Sequence, residues 1–274
     1  MKIGFIDYYL DEWHANNYPK LISDATDGRL QVTLAYGHID SPIGGRTTDQ
    51  WCRDMGIPRA ETIDEVCEKC DAIIVLSPDN CEMHEELCQK PLRTGKRVYV
   101  DKTFAPDYET AKRIFDIAEK SNTPCYSTSA LRYATEYQNI GEVDAIASWG
   151  PYSFDTYSIH QLEPVMMLIH AKPQSVCFVP GVHGYTLLIR FEDGRTATIN
   201  GFDMHSPFMM NIALKDKCCV VNVQSDYFGG FIKNLVRFFE TGEGAVPHEE
   251  TLRIMAVRGA GLKAAQKPGQ WVNI

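Results

Sequence analysis

Two regimes of hydrophobic patterning divide the chain. Up to about residue 125, short apolar runs alternate with longer segments of helical period, the mark of a parallel sheet with helices on both faces. Lys2–Asp7, Gln31–Tyr36, Asp71–Leu76, Arg97–Val100 and Pro124–Ser127 read as strands. The unbroken run in 71–76 predicts a strand buried on both faces. Between them the pattern predicts helices after the polar turn 8–12, over Thr47–Met55, from Thr62 to Cys70, over Cys81–Lys90 and from Asp107 to Lys120. Thr62-Ile63-Asp64-Glu65 has the spacing of a capping box, Pro91 stops the fourth helix, and Asp107 is placed to cap the fifth.

Beyond residue 125 the strands follow one another directly. Glu142–Tyr152, Gln174–Val179, Tyr185–Phe191, Thr196–Phe202 and Met209–Val223 read as strands, and Asp193-Gly194 marks a hairpin turn. Strands without intervening helices predict antiparallel pairing. Tyr157–His170 reads as an inserted helix, and Tyr227–Glu240 and His248–Gln266 as closing helices. The expected architecture is α/β over 1–125, with a doubly wound parallel sheet, and an α+β domain over 126–274 with an open, mainly antiparallel sheet.

Composition narrows the class of partner. The net charge is −9, and no Lys/Arg run is long enough to follow a nucleic-acid backbone. No apolar run approaches the ~20 residues of a membrane span, and no signal peptide precedes the first strand. Nine cysteines then predict reduced thiols in a cytoplasm. Cys67-Glu68-Lys69-Cys70 has C-x-x-C spacing but closes a helix, where the dipole disfavours a thiolate, so packing is the expected role. Cys218-Cys219 lies in a Val-rich strand and reads as packing too. No metal site is expected: Asp11 and His14 form a single i,i+3 pair, and His160, Glu163 and His205 add ligand chemistry without ligand spacing.

The most informative stretch is 71–120. It carries Ser77-Pro78 after a strand, then Asn80 and His84, then Gly95-Lys96, a strand, and Asp101-Lys102-Thr103 before a helix. Later come Asp155, Thr156, His160 and Glu163, and the chain closes with FIKNLVRFFETGEGAVPHEETLRI, a helix and PGQWVNI. In order and spacing these resemble the glucose–fructose oxidoreductase and inositol dehydrogenase family (Gfo/Idh/MocA). That resemblance implies a Rossmann-like first domain carrying NAD or NADP, with Ser77, Pro78, Asn80, His84, Asp101 and Lys102 on the cofactor side. It implies a second domain holding a sugar or cyclitol, its sheet pairing with further copies into a homo-oligomer. Lys102 would orient and polarise substrate oxygens, His160 would move the hydroxyl proton, and Glu163 or Asp155 would set the state of His160. Each has a plain alternative: Lys102 as a surface lysine paired with Asp101, His160 on a helix surface, His84 capping or packing its helix, and solvated carboxylates.

The departures gather where the cofactor should lie. In place of a glycine-rich turn stand Asp7, Tyr8, Tyr9, Leu10, Asp11 and Glu12, with Gly4 inside the strand; Tyr36-Gly37-His38 stands where an acidic ribose partner is expected. One carboxylate ~6 Å from a phosphate repels it by about 3 kcal/mol at an effective dielectric of ~20, more than a helix N-terminus attracts it. The loop Ser41–Thr48 offers glycines, Arg46 and hydroxyls as another phosphate cradle or as an ordinary turn. Tyr8, Tyr9, Trp13, His14 and Tyr18 suit either a plug for the groove or a platform for a sugar. Three functions follow: an NAD(P)-dependent sugar or polyol oxidoreductase with an atypical cofactor site, a cofactor-free lyase, epimerase or hydrolase using Lys102 and His160, or a non-catalytic partner subunit.

Overall fold

The computed structural model describes residues 1–274, which form two compact units. The first comprises Met1–Ala105, Glu109–Ser127 and Ile232–His248; the second comprises Pro106–Tyr108, Thr128–Phe231 and Glu249–Ile274.

The first unit holds a parallel five-stranded sheet in the order β2-β1-β3-β4-β5, formed by β1 (Lys2–Asp7), β2 (Gln31–Gly37), β3 (Ala72–Val75), β4 (Arg97–Val100) and β5 (Cys125–Tyr126). The strand order reverses between β1 and β3, the switch point beside which such sheets open a ligand crevice. All four residues of β3 are buried, as its unbroken apolar run requires. Helices α1 (Trp13–Ala25), α2 (Thr48–Met55), α3 (Ile63–Lys69), α4 (His84–Leu87) and α5 (Tyr108–Lys120) connect the strands. Thr47 opens α2 with a full capping box, its hydroxyl accepting from the Gln50 amide while the Gln50 side chain accepts from the Thr47 amide. At α3 only half of the expected box forms: Thr62 accepts from the Glu65 amide at 3.3 Å, but the Glu65 carboxylate turns to the Glu61 amide. The single helix expected over 81–90 is broken into 3₁₀ turns at Cys81–Met83 and Pro91–Arg93 around the short α4. Cys67 lies in α3 and Cys70 at its C-terminal end; burial pushes the Cys67 thiol up to about 11, against redox chemistry there.

The second unit contains a seven-stranded mixed sheet, β11-β10-β6-β9-β8-β7-β12. Its strands are β6 (Val143–Pro151), β7 (Pro173–Gly181), β8 (Gly184–Phe191), β9 (Thr196–Phe202), β10 (Met209–Leu214), β11 (Cys218–Asn222) and β12 (Trp271–Asn273). All neighbours run antiparallel except β6 and β9, which pair in parallel. The single strand expected over 209–223 is a hairpin, because Lys215-Asp216-Lys217 supply a polar turn. Helix α6 (Phe154–Leu168) covers one face, where the Gln161 amide group accepts from Ser148 Oγ at 2.7 Å and donates to the Asn200 carbonyl at 3.2 Å. On the other face Trp149, Thr186, Leu188, Thr198 and Asn200 stay partly exposed, in register across β6, β8 and β9. Helices α7 (Tyr227–Thr241) and α8 (His248–Ala265) complete the chain. No helix is long and apolar enough to cross a membrane.

Candidate functional site

In the first unit the candidate residues collect at the carboxyl ends of β1, β3 and β4, where ligands bind in parallel sheets. The turn after β1 is closed by its own side chains. Glu12 stands at the N-cap of α1, and its buried carboxylate accepts from the amides of His14, at 2.7 Å, and Ala15. Those are the donors that a helix start offers to an anion. His14 Nδ1 lies 2.9 Å from the same carboxylate and 3.7 Å from Asp101. Asp7 is 1 % exposed, and no side chain partners its carboxylate; only the backbone amides of Tyr8 and Tyr9 face it. Burial, then the charges of Glu12 and Asp101, raise its pKa well above the ordinary range. Tyr9 is buried beside Asp79, its hydroxyl pushed up to about 12 by burial first and the neighbouring carboxylates second.

Of the aromatics read as plug or platform, Tyr9 and Tyr18 are core residues, whereas Trp13 is 54 % exposed. Gly4, the one glycine of the region, packs instead against α3: a Cβ there would collide with Val66 and Cys70. The Ser41–Thr48 loop has its cation already engaged. The Arg46 guanidinium donates to Asp11 at 2.7 and 3.1 Å and to Asn16 at 2.7 Å, and the Arg46 amide donates to Asp11 at 2.8 Å. Asp11 and His14 therefore have separate partners, Arg46 and Glu12.

The remaining candidates of this unit divide by accessibility. Ser77 ends the strand in the left-handed region, φ 86°, and donates to the Asn80 carbonyl at 2.9 Å; Pro78 and Asn80 are half-buried beside it. Backbone held in that region by a residue other than glycine is a feature of ligand-binding turns. Asp101 is buried and accepts from the hydroxyls of Tyr99 at 3.1 Å and Tyr18 at 3.4 Å. It makes no ion pair with Lys102, so the plain surface-pair alternative fails; Lys102 is half-buried and its ammonium has no acidic partner. His84 corrects the expectation of a cofactor residue. It is fully buried, one ring nitrogen on the Phe104 carbonyl at 3.0 Å and the other on that of Leu76, so neither is left for a ligand.

The second unit builds a different site around α6. His160 Nδ1 lies 2.7 Å from Ser129 Oγ, and the Leu131 amide donates to that same oxygen at 3.4 Å. The Ser129 oxygen accepts from the Leu131 amide and has a further lone pair and a hydrogen, so it holds Nδ1 in either tautomer, donating to the bare nitrogen or accepting from Nδ1–H. The two carboxylates expected to set His160 are engaged elsewhere. Glu163 is buried and binds Arg132 at 2.8 Å, and Arg132 also binds Glu250 at 2.5 Å. Burial pushes Glu163 up to about 7; Arg132 pulls it down, and Glu250 raises it again. Asp155 is two-thirds exposed and its carboxylate pairs with the buried Arg258. Ser129, Arg132 and Glu250 escaped the sequence reading. Ser129 and Arg132 had one faint signal, the polar run Ser127–Ser129 after a strand with an arginine three residues on.

Residues 41–128 match the model of the oxidoreductase family with an NAD-binding Rossmann fold, Gfo/Idh/MocA. The chain resembles that family in sequence and in fold. No curated protein matches it at a significant level. A probable dehydrogenase from Thermotoga maritima superposes with a TM-score of 0.78 at 14 % identity, covering 100 % of this chain and 98 % of its own. A myo-inositol 2-dehydrogenase from Lactobacillus plantarum gives 0.79 at 13 %, with 100 % and 99 % covered. GenD2 from gentamicin A biosynthesis, solved in complex with NAD, gives 0.78 at 12 %, with 100 % and 96 % covered. At such identities the likeness is one of fold.

The Gfo/Idh/MocA fold implies NAD or NADP at the first sheet. The turn after β1 does not fit that group in its usual position: a side-chain carboxylate takes the helix-start amides, and buried Asp7 lies behind it.

Proposed function

We propose that this chain is an oxidoreductase-family protein that takes a sugar or polyol, and that His160 moves a proton at a substrate oxygen. The observation that carries this reading is the Ser129–His160 hydrogen bond of 2.7 Å. With Nδ1–H donating to Ser129 Oγ, the neutral ring offers its Nε2 lone pair to the proton of a substrate hydroxyl, and the imidazolium so formed returns that proton from Nε2–H to a carbonyl or leaving oxygen in the reverse direction. Lys102, without an acidic partner, is a donor for substrate oxygens, and Ser77, Pro78, Asn80 and Asp101 shape the edge of the first sheet around it. The turn after β1, its amides taken by Glu12, does not fit NAD(P) in the usual position. Asp155 and Glu163 act through structure: each is engaged by an arginine. The partly exposed face of the second sheet, with Trp149 and Leu188, suits a second copy of the chain.

A second reading keeps the NAD(P)-dependent dehydrogenase with the cofactor gripped away from the turn. It is favoured by the family match over 41–128, which includes Ser77-Pro78 and Asp101-Lys102.

The test is ligand-observed NMR of the protein with a panel of aldoses, uronic acids and cyclitols. The proposal expects saturation transfer from at least one of them, weakened tenfold or more in affinity by Lys102→Ala. For His160→Ala it expects turnover of that ligand to be lost while binding is retained. A folded protein that binds none of the panel contradicts it.

A further inference from the structure

We propose that the turn after β1 is an internally occupied anion site: Glu12 stands where a dinucleotide phosphate would sit at the start of α1, and the chain thereby rejects NAD(P). This concerns the cofactor alone and stands whether or not His160 moves a proton.

Several observations converge on it. The helix is long enough for an anion to be held at its start, thirteen residues, and two of its first-turn amides are spent on the Glu12 carboxylate. Glu12 is 7 % exposed, so it is a built part of the unit and not a side chain that swings into solvent. The His14 ring adds a third contact to the same carboxylate, at 2.9 Å. Behind it Asp7 is fully buried with no ion-pair partner, and burial first, then the charges of Glu12 and Asp101, raise its pKa. An incoming phosphate would therefore meet amides already satisfied, and a carboxylate it would have to expel. Arg46, the cation of the Ser41–Thr48 loop, is tied to Asp11 and Asn16. An open phosphate turn uses glycine so that backbone meets the ligand directly; here the ligand's place is taken by covalent attachment, and no concentration of free anion competes easily with a tethered one.

The experiment compares the unmodified protein with Glu12→Ser and Glu12→Asn, both good helix caps that remove the charge. Calorimetry with inorganic pyrophosphate and with NADH is read alongside the melting temperature in each. The unmodified protein is expected to bind neither at millimolar concentration, with a melting temperature unmoved by pyrophosphate. The variants, shown folded by circular dichroism, are expected to bind pyrophosphate at least tenfold more tightly and to melt later in its presence. A gain for pyrophosphate without one for NADH supports the occupied anion site and overturns Glu12 as the group that rejects NAD(P). Folded variants with no gain for either ligand overturn it, as does pyrophosphate raising the melting temperature of the unmodified protein.

Discussion

Both units bury carboxylates near the residues that matter, but only one of them supplies the counter-charge. In the second unit Arg132 sits between Glu163 and Glu250, and the loop that carries it also presents Ser129 to His160. In the first unit Asp7 has no cation, and burial raises its pKa, which favours the uncharged carboxyl. Charge pairing of the first kind fixes a loop and so orients an imidazole. Unpaired burial of the second kind favours the uncharged carboxyl, so the group set against an anion at the helix start is Glu12 and not Asp7. On the proposed reading the chain keeps a histidine for a substrate in one unit and closes a helix start to a phosphate in the other.

The comparison can be broken most severely at Arg132. Replacing it with Met strands two buried glutamates, and a loss of about 3–5 kcal/mol is expected in urea denaturation at pH 8. An unchanged midpoint would mean that the pairs are not what holds the loop. Asp7 gives the next largest effect. Its pKa is raised in the folded protein, so its contribution to stability is complete below the unfolded value near 3.8 and is lost as pH rises through the folded one. The unmodified protein should lose up to about 1.4 kcal/mol per pH unit across that window, and Asp7→Asn should flatten the profile. Equal slopes in the two proteins would show that Asp7 is ionised in place. Glu163 obeys the same sign over a narrower window, with stability present below about 4.5 and lost as pH rises through about 7. Glu163→Gln should remove that dependence, by less than Asp7→Asn because Arg132 partly holds the charge. The smallest effect is that of Ser129→Ala, about 0.5–1.5 kcal/mol in stability. Its sharper readout is the nitrogen NMR spectrum of His160, where the balance between the two neutral tautomers should shift; an unaltered spectrum would remove Ser129 from the account.

Much of this was legible in the sequence, for identifiable reasons. The five parallel strands announced themselves because both faces are covered, which leaves unbroken apolar runs such as Ala72–Val75. The turn 8–12 was legible as a filled turn, since Tyr and Glu cannot stand in for glycine. What was not legible was where Glu12 would point. Glutamate is an uncommon N-cap, so nothing before Trp13 marked the carboxylate as the partner of the His14 and Ala15 amides. The pairing of β6 with β9 escaped because parallel neighbours far apart in sequence leave no turn signal. Nor does any change of pattern at 231 or 248 mark the return of Ile232–His248 to the first unit. At the candidate site the family resemblance pointed to His160, whose ring is held by a group from a loop about thirty residues earlier. Carboxylates close in sequence, Asp155 and Glu163, were the natural guess, and arginines distant in sequence claim both.

The most direct test of the central claim is a calorimetric titration of the unmodified, folded protein with NADH and NADPH. No binding up to millimolar concentration is the predicted result, with Glu12 keeping the place of the phosphate. Micromolar binding of either dinucleotide would contradict the account and return the chain to the simple dehydrogenases of its fold.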